Sequence, residues 1–162
     1  MRAIPNSVVL WPSDGVSTYK LVKLMANYED GIPYMKSTRS DAPILYDADQ
    51  TFTLGGCKVL RSSGNDQACI VDAGITVHEA LAAYEQLKEQ GIMVSVIDLY
   101  SIKPLDHETV IKTATTSQNR IITVEDHYPE GGLGEAVVSA LRDTAIKIES
   151  LAVRKLDRKS VV

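Results

Sequence analysis

The feature that most constrains the fold is a regular alternation of short apolar runs and helical patterns that begins at Cys57. Runs rich in β-branched residues, such as 93–98 and 121–124, are typical of buried strands. Between such runs, apolar residues recur at helical spacing, most clearly from Val77 to Leu87. Strands that alternate with helices of this length predict an α/β fold, a mostly parallel, doubly wound sheet with helices on both faces.

Local patterns refine this larger unit. Residues 58–60 are predicted to be a short edge strand, and 68–72 a central strand. Thr76 and Glu79 have the spacing of a capping box at the start of the next helix. Asp106 is predicted to cap the helix after that.

The residues before this alternation form a smaller pattern of the same type. A buried strand is predicted at 7–11, and Asp14 is placed to cap a helix that Gly31 closes. A second strand is predicted at 32–37. Together these elements make a partial β-α-β unit, which requires a parallel sheet covered on both faces. Two strands are too few for a stable sheet, so we expect this unit to be the tail of a domain whose front is absent.

A connector separates the two patterns. Residues 41–56 show neither helical nor strand periodicity, and Pro43, several aspartates and Gly55-Gly56 are typical of a loop. Its apolar residues, among them Tyr46 and Phe52, favour burial over a flexible tether. We therefore predict one unit at 1–56, including the connector, and a second at 57–162.

Composition limits the function classes. The chain has 162 residues, of which 44% are hydrophobic and 23% charged. A net charge of −4 gives no basic surface for nucleic acid or for an anionic membrane. No apolar run is long enough to span a bilayer. Cys57 and Cys69 have no metal or redox spacing, so we expect reduced cysteines and a cytoplasmic protein.

The stretch 120–136 has the pattern of a strand, a glycine-rich turn and a helix. Gly132-Leu133-Gly134 could bind a phosphate at the helix amino terminus. The full dinucleotide fingerprint needs glycine or alanine where Val137 stands, and no acidic residue follows about twenty residues later. We therefore favour a tight turn at an interface or domain edge.

The sequence contains no complete catalytic constellation and no His/Cys cluster with metal spacing. His78 and His107 lie in the first turns of predicted helices and are expected at the surface. His127 lies at the carboxyl end of a strand. An acid–base role has the right pKa range, but a structural hydrogen bond across an interface is favoured. Arg39, between Thr38 and Ser40 after a strand, is either an anion-binding group or an ordinary surface arginine.

Short motifs that belong together are spread along the chain, namely Ile4-Pro5, Pro12-Ser13-Asp14-Gly15, Ser37-Thr38-Arg39, Ala73-Gly74-Ile75-Thr76, His78-Glu79-Ala80-Leu81, Ile102-Lys103-Pro104-Leu105-Asp106 and Val124-Glu125-Asp126-His127. In order and spacing, these motifs resemble the carboxyl-terminal portion of transketolase, up to about Arg154. The later motifs are shared more loosely with other thiamine diphosphate enzymes, whereas Ser37-Thr38-Arg39 favours transketolase.

The resemblance implies that 1–56 is the end of a pyrimidine-binding domain plus a connector, and that 57–162 is the carboxyl-terminal domain. It also implies the reaction, transfer of two-carbon ketol units between sugar phosphates in the pentose phosphate pathway. The complete enzyme would be a cytoplasmic homodimer with thiamine diphosphate and a divalent metal, Mg²⁺ or Ca²⁺. Arg39 matches the arginine that grips the substrate phosphate. The family's Gly-Asp-Gly motif and activating glutamate are absent, so this chain alone is expected to bind no cofactor or metal, to supply no catalytic residue and to be inactive.

The sequence departs from the family at its end. The family continues with a Pro-Arg-Ser-Gly loop and a final helix, whereas Asp157 replaces the proline here and the basic, aperiodic segment 154–162 follows the last strand. The resemblance therefore implies a carboxyl-terminal fragment or subunit that needs the missing amino-terminal portion. The alternative is a non-catalytic docking or dimerisation module of a related enzyme, of the deoxyxylulose-phosphate synthase or 2-oxo acid dehydrogenase β-subunit type.

Overall fold

The computed structural model describes residues 1–39 and 41–154, so Ser40, Asp157 and most of the basic end segment lie outside the described residues. Within the described part of the chain, no helix is long and apolar enough to cross a membrane. The elements in chain order are β1 (Ser7–Leu10), α1 (Gly15–Ala26), β2 (Ile32–Met35), β3 (Lys58–Arg61), β4 (Cys69–Asp72), α2 (Thr76–Glu89), β5 (Ser95–Asp98), β6 (Ser101–Lys103), α3 (His107–Thr115), β7 (Arg120–Val124), α4 (Leu133–Ala140) and β8 (Lys147–Leu151).

The larger sheet has the strand order β3-β5-β4-β7-β8. All neighbouring strands are parallel except β3, which runs antiparallel to β5 at the edge. Every residue of β4 and β5 is buried, as expected for strands covered on both faces. The predicted mostly parallel sheet, its edge strand and its central strand are confirmed.

Helices cover both faces of this sheet. Because successive side chains of a strand point to opposite faces, Ile70 and Val71 belong to different cores. Ile70 packs with Tyr84 of α2. Val71 packs with Val110 of α3 and Val137 of α4. The doubly wound arrangement predicted from the alternation is therefore present.

The smaller sheet has the order β2-β1-β6. β1 and β2 are parallel, as the partial β-α-β unit predicts. β6 comes from the larger unit and pairs antiparallel with β1, with Val9 opposite Lys103 and Leu10 opposite Ser101. Residues 1–56 contribute two strands, as predicted, and the sheet gains its third strand from the larger unit. That strand was not predicted, because a three-residue strand just before Pro104 gives no periodic signal.

The connector is packed against both units. Tyr46 and Phe52 are each 7% exposed. The ring centroid of Phe52 lies 5.1 Å from that of Tyr46 and 4.9 Å from that of Tyr100, in edge-on contacts. Tyr100 follows β5, so the connector shares a core with the larger unit as well as with α1. The boundary at residue 56 remains a prediction.

The helix caps are partly as predicted. Asp14 and Asp106 cap α1 and α3. The capping box at Thr76 is wrong, because Ile75 occupies the cap position without a side-chain hydrogen bond. The Thr76 hydroxyl instead lies 2.9 Å from the carbonyl oxygen of Ala73 and 3.2 Å from that of Val124.

Candidate functional site

A cavity of about 430 Å³ lies where β1 and β2 end and α1 begins. The carboxyl ends of parallel strands meet at one edge of a sheet, where open α/β sheets bind their ligands. Four of the lining residues carry hydroxyl groups, namely Ser13, Thr18, Ser37 and Thr38. We refer to this space as the β1–β2 cavity.

Arg39 directly follows two residues that line the β1–β2 cavity. Arg39 and Ser37 are exposed, and Thr38 is half-buried. The chain therefore brings the backbone of Arg39 to the edge of the cavity, beside two hydroxyl groups. This is the arginine for which the sequence analysis predicted phosphate binding.

Asp14 fixes the other side of the cavity. Its carboxylate caps α1 through Ser17, and Oδ2 accepts hydrogen bonds from the backbone amides of Leu45 at 2.8 Å and Tyr46 at 2.9 Å. Burial alone would raise the pKa of Asp14, but the hydrogen bonds from Ser17, Tyr46 and Leu45 outweigh it and hold the pKa below its ordinary value. Asp14 therefore remains an anion and ties the connector to α1.

Two residues of the larger unit, Asp98 and His78, contact Ser13. Asp98 Oδ2 accepts hydrogen bonds from the Ser13 and Tyr46 hydroxyls, each at 2.7 Å. The Nε2 atom of His78 lies 2.7 Å from the Ser13 carbonyl oxygen. His78 is half-buried rather than at the surface as predicted, because it contacts a segment distant in sequence, whereas His107 is exposed as predicted.

A second cavity of about 200 Å³ lies between the smaller sheet and the turn that precedes α4, and is lined by Trp11, Lys36 and His127, among others. The Lys36 ammonium lies 3.6 Å from the centroid of the Trp11 ring and donates a hydrogen bond to the Asp126 carbonyl. Burial lowers the pKa of Lys36, while Asp126 and Glu125 act in the opposite direction. This lysine therefore links β2 to the end of β7.

His127 makes a local contact in this structure. Its Nδ1 atom lies 2.6 Å from the carbonyl oxygen of Tyr128, and its own carbonyl accepts a hydrogen bond from the amide of Val153. The ring also lines the second cavity. The acid–base role of His127 and its structural role across an interface both remain predictions.

The glycine-rich turn before α4 binds a carboxylate of the protein itself. Glu125 is 4% exposed, and it accepts hydrogen bonds from the amides of Leu133 at 2.7 Å and Gly134 at 3.0 Å. Burial raises the pKa of Glu125, and these hydrogen bonds and the charges of His127 and Lys36 oppose the rise. Because this side chain fills the helix amino terminus, the turn is not a phosphate site.

Comparison with known proteins identifies the family. Residues 55–158 match the family model described as Transketolase, C-terminal domain. The chain belongs to the transketolase family. It is 47% identical over 158 residues to transketolase-like protein 2 of Mus musculus and 44% identical over 158 residues to transketolase of Homo sapiens. Each alignment covers 97% of this chain and 25% of the relative, so the chain spans a quarter of the length of these curated relatives.

A solved structure agrees with this assignment to the transketolase family. It is described as a split-gene transketolase, inactive beta4 tetramer. Its TM-score with this chain is 0.89 at 33% sequence identity, over 98% of this chain and 52% of the solved chain. The resemblance read from the sequence motifs is therefore confirmed for the family and for the fold.

The transketolase portion described here does not offer a metal centre. Among residues 1–39 and 41–154, no group of three or more His, Cys, Asp and Glu side chains is placed to hold a metal ion. These residues therefore do not fit the divalent metal of a diphosphate cofactor.

The buried residues Asp98 and Glu125 were not predicted from the sequence. Their signal in the sequence was weak, because an acidic residue that ends or follows a strand is common.

Proposed function

We propose that this chain is the carboxyl-terminal portion of a transketolase, which transfers two-carbon ketol units between sugar phosphates once it is combined with an amino-terminal portion. The supporting observation is the 47% identity to a transketolase-like relative, in an alignment that covers 97% of this chain and 25% of the relative. In the complete enzyme, thiamine diphosphate with Mg²⁺ or Ca²⁺ supplies the bond-breaking chemistry. The contribution of this chain is to position the sugar, and the chain alone is inactive.

The group that positions the sugar is Arg39 at the β1–β2 cavity. A guanidinium can hold a phosphate through two parallel charge-assisted hydrogen bonds, and the Ser37 and Thr38 hydroxyls can donate to the remaining oxygens. The volume of about 430 Å³ lies within the range usual for small-molecule sites, roughly 300–1,000 Å³. Asp14 would repel a phosphate, but both of its carboxylate oxygens already accept hydrogen bonds from the protein.

The second candidate is a non-catalytic docking or dimerisation module of a related enzyme. One observation favours it, since the similar solved structure is described as an inactive tetramer. Under the first candidate the complete enzyme is a cytoplasmic homodimer that contains both portions. Under the second, docking to another protein portion or dimerisation is the whole role of this chain.

Ketol transfer separates the two candidates. The chain is assayed alone, then mixed with an amino-terminal transketolase portion that ends where this chain begins, with thiamine diphosphate and Mg²⁺ present. The first candidate predicts activity in the mixture and none from either portion alone. A mixture that co-elutes as a stable complex but transfers no ketol units supports the second candidate instead.

A further inference from the structure

Asp72 and Asp98 form a pair of buried carboxyl groups that phosphate binding does not use. They are directly paired on the neighbouring parallel strands β4 and β5, so both side chains point to the same face of the sheet from strands about 4.8 Å apart. Each residue is 0% exposed. Within the described part of the chain, both carboxyl oxygens of Asp72 and Oδ1 of Asp98 have no hydrogen-bond partner. An ionised carboxylate in this setting is very costly.

The groups around the pair do not compensate a negative charge. Burial raises the pKa of Asp98 to about 7, the hydrogen bonds from Tyr46 and Ser13 oppose the rise, and Asp14 adds to it. Burial also raises the pKa of Asp72 well above its ordinary value, and Asp98 adds to that rise. Asp14, Tyr46, Cys57, Cys69 and Tyr100 interact electrostatically with the pair and are acidic or neutral at pH 7. Lys58 of β3 is paired in register with Asp98, but its ammonium lies 3.2 Å from Gln50 Oε1 and 5.2 Å from the centroid of the Phe52 ring.

The basic group nearest in the hydrogen-bond network is directed elsewhere. The imidazole of His78 contacts the Ser13 carbonyl oxygen at 2.7 Å. None of the ion pairs formed by the described residues includes Asp72 or Asp98. We therefore expect a bound proton, rather than a cationic side chain, to neutralise the charge of the pair.

Asp98 also connects the larger sheet to the β1–β2 cavity. Its Oδ2 atom accepts one hydrogen bond from Ser13, a lining residue, and one from Tyr46, two residues after the lining residue Ile44. Both donors belong to residues 1–56. A neutral carboxylic acid keeps this arrangement, because its carbonyl oxygen accepts both hydrogen bonds while the other oxygen carries the proton.

We propose that Asp72 and Asp98 act as a proton-dependent clamp, in which Asp98 positions Ser13 and Tyr46 and so fixes the wall of the β1–β2 cavity. The clamp itself is a property of the fold, whereas its effect on substrate rests on the proposed function. Loss of the proton leaves a buried charge beside a second carboxyl group. Water can solvate that charge only if the connector separates from the larger sheet, so loss of the proton favours this separation.

The sign of the pH effect follows from the raised pKa values. A carboxyl group that holds its proton more tightly in the folded state stabilises that state fully below its unfolded pKa of about 4. The stabilisation is lost as the pH rises towards the folded value of about 7 for Asp98. Between these two values, the titration of Asp98 changes the unfolding equilibrium constant by up to about tenfold per pH unit.

The test uses the 162-residue chain and measures urea unfolding between pH 4.5 and 8. We expect the unfolding constant of the wild type to rise over this range, and the D72N/D98N variant to lack most of that rise. Near pH 5, D98N should match the wild type, because an amide keeps one accepting oxygen and carries no charge. D98A should be less stable than the wild type near pH 5, because it loses both hydrogen bonds. The control is D30N at an exposed aspartate, which should follow the wild type throughout.

A local readout distinguishes the clamp from a general loss of stability. The amides of Leu45 and Tyr46 bond to Asp14, and their hydrogen-exchange protection should fall above pH 7 in the wild type but stay high in D98N. Equal pH dependence in the wild type and D72N/D98N overturns the proposal. So does strong destabilisation of D98N near pH 5, because it means that Asp98 is needed as a carboxylate.

The effect on substrate is measured separately, in the mixture with the amino-terminal portion. D98A should raise KM for a phosphorylated acceptor more than it lowers kcat, and D98N should restore KM. If the mixture is inactive, the proposed function fails while the unfolding and exchange results still decide the clamp. Unchanged KM in an active mixture overturns the positioning role.

Discussion

The carboxylate of Glu125 accepts a hydrogen bond from the amide of Leu133 at 2.7 Å, at the first residue of α4. The interaction joins the end of β7 to the start of α4, which packs on that strand. It also explains the two glycines of the turn, because a side chain at Gly132 would overlap the Glu125 carboxylate and one at Gly134 would lie 2.8 Å from the Thr123 hydroxyl.

Gly132→Ala should therefore destabilise the fold. The added methyl group forces Glu125 away from the amides that satisfy it, and we expect a loss of about 1–3 kcal/mol in the free energy of unfolding. The control is Gly15→Ala, where the new Cβ would meet only the Ile44 side chain at 3.5 Å. Urea unfolding at pH 7 measures both. Equal stability of the two variants would mean that the contact with Glu125 contributes little.

Arg39→Ala should weaken use of phosphorylated sugars far more than use of unphosphorylated ones. A hydrogen bond to a charged partner contributes roughly 1.5–3 kcal/mol, which is about tenfold to a hundredfold in apparent affinity. Lysine cannot reproduce the guanidinium fork, so Arg39→Lys should recover only part of the loss. The measurement is KM for a phosphorylated acceptor and its unphosphorylated analogue, in the mixture of both portions.

The matched control for that experiment is Arg142→Ala. Arg142 is exposed and, among the residues that the structure describes, pairs with its neighbour Asp143 at 3.3 Å, so the change should leave both KM values within about twofold. If Arg39→Ala weakened use of the phosphorylated and the unphosphorylated acceptor equally, Arg39 would stabilise the fold rather than bind the phosphate.

Phe52→Ala should loosen the attachment of the connector. The ring is 7% exposed between Tyr46 and Tyr100, and truncation of a buried phenylalanine costs about 3–5 kcal/mol. Limited proteolysis should then cut within residues 41–56 sooner than in the wild type. Ile44→Ala, in the same connector but 69% exposed, should change stability by less than about 0.5 kcal/mol. A proteolysis pattern unchanged by Phe52→Ala would contradict the shared core.

Cys57 should react slowly with thiol reagents in the folded state. Burial raises the pKa of the Cys57 thiol to about 12, and Asp106, whose carboxylate lies 3.6 Å from the sulfur, adds to the rise. At pH 8 this lowers the thiolate fraction by roughly three orders of magnitude relative to an ordinary cysteine. Iodoacetamide labelling followed by peptide mass spectrometry tests this at Cys57 and Cys69 separately, with the urea-unfolded chain as reference. If Cys57 of the folded chain were labelled as fast as Cys57 of the urea-unfolded chain, the prediction would be contradicted.

The larger sheet was predictable because its signal is local. Cys69–Asp72 and Ser95–Asp98 are buried along their whole length, and strands buried on both faces appear in sequence as continuous apolar runs. The caps at Asp14 and Asp106 were predictable for the same reason, since a cap depends on residues three positions away.

The contacts that shape the candidate site were not predictable, because they join segments distant in the chain. Ser13 and Asp98 are separated by 85 positions, and Tyr46 and Asp98 by 52. The sequence around Ser13, Tyr46 and Asp98 contains no pattern that predicts which residue each one contacts. Glu125 was closer to recognition, since an acidic residue at a strand end with two glycines ahead of a helix fits a self-capped turn as well as a phosphate turn.

The pairing of Ser101–Lys103 with Ser7–Leu10 has a consequence for shortened forms of the protein. A fragment that began at residue 57 would retain the strand at Ser101–Lys103 without its neighbour. The freed backbone amides and carbonyls would then form an open edge, the kind of surface through which copies of a protein add to one another and aggregate. We therefore expect the strand at Ser7–Leu10 to limit aggregation of the carboxyl-terminal unit, and a soluble minimal version of that unit should include it.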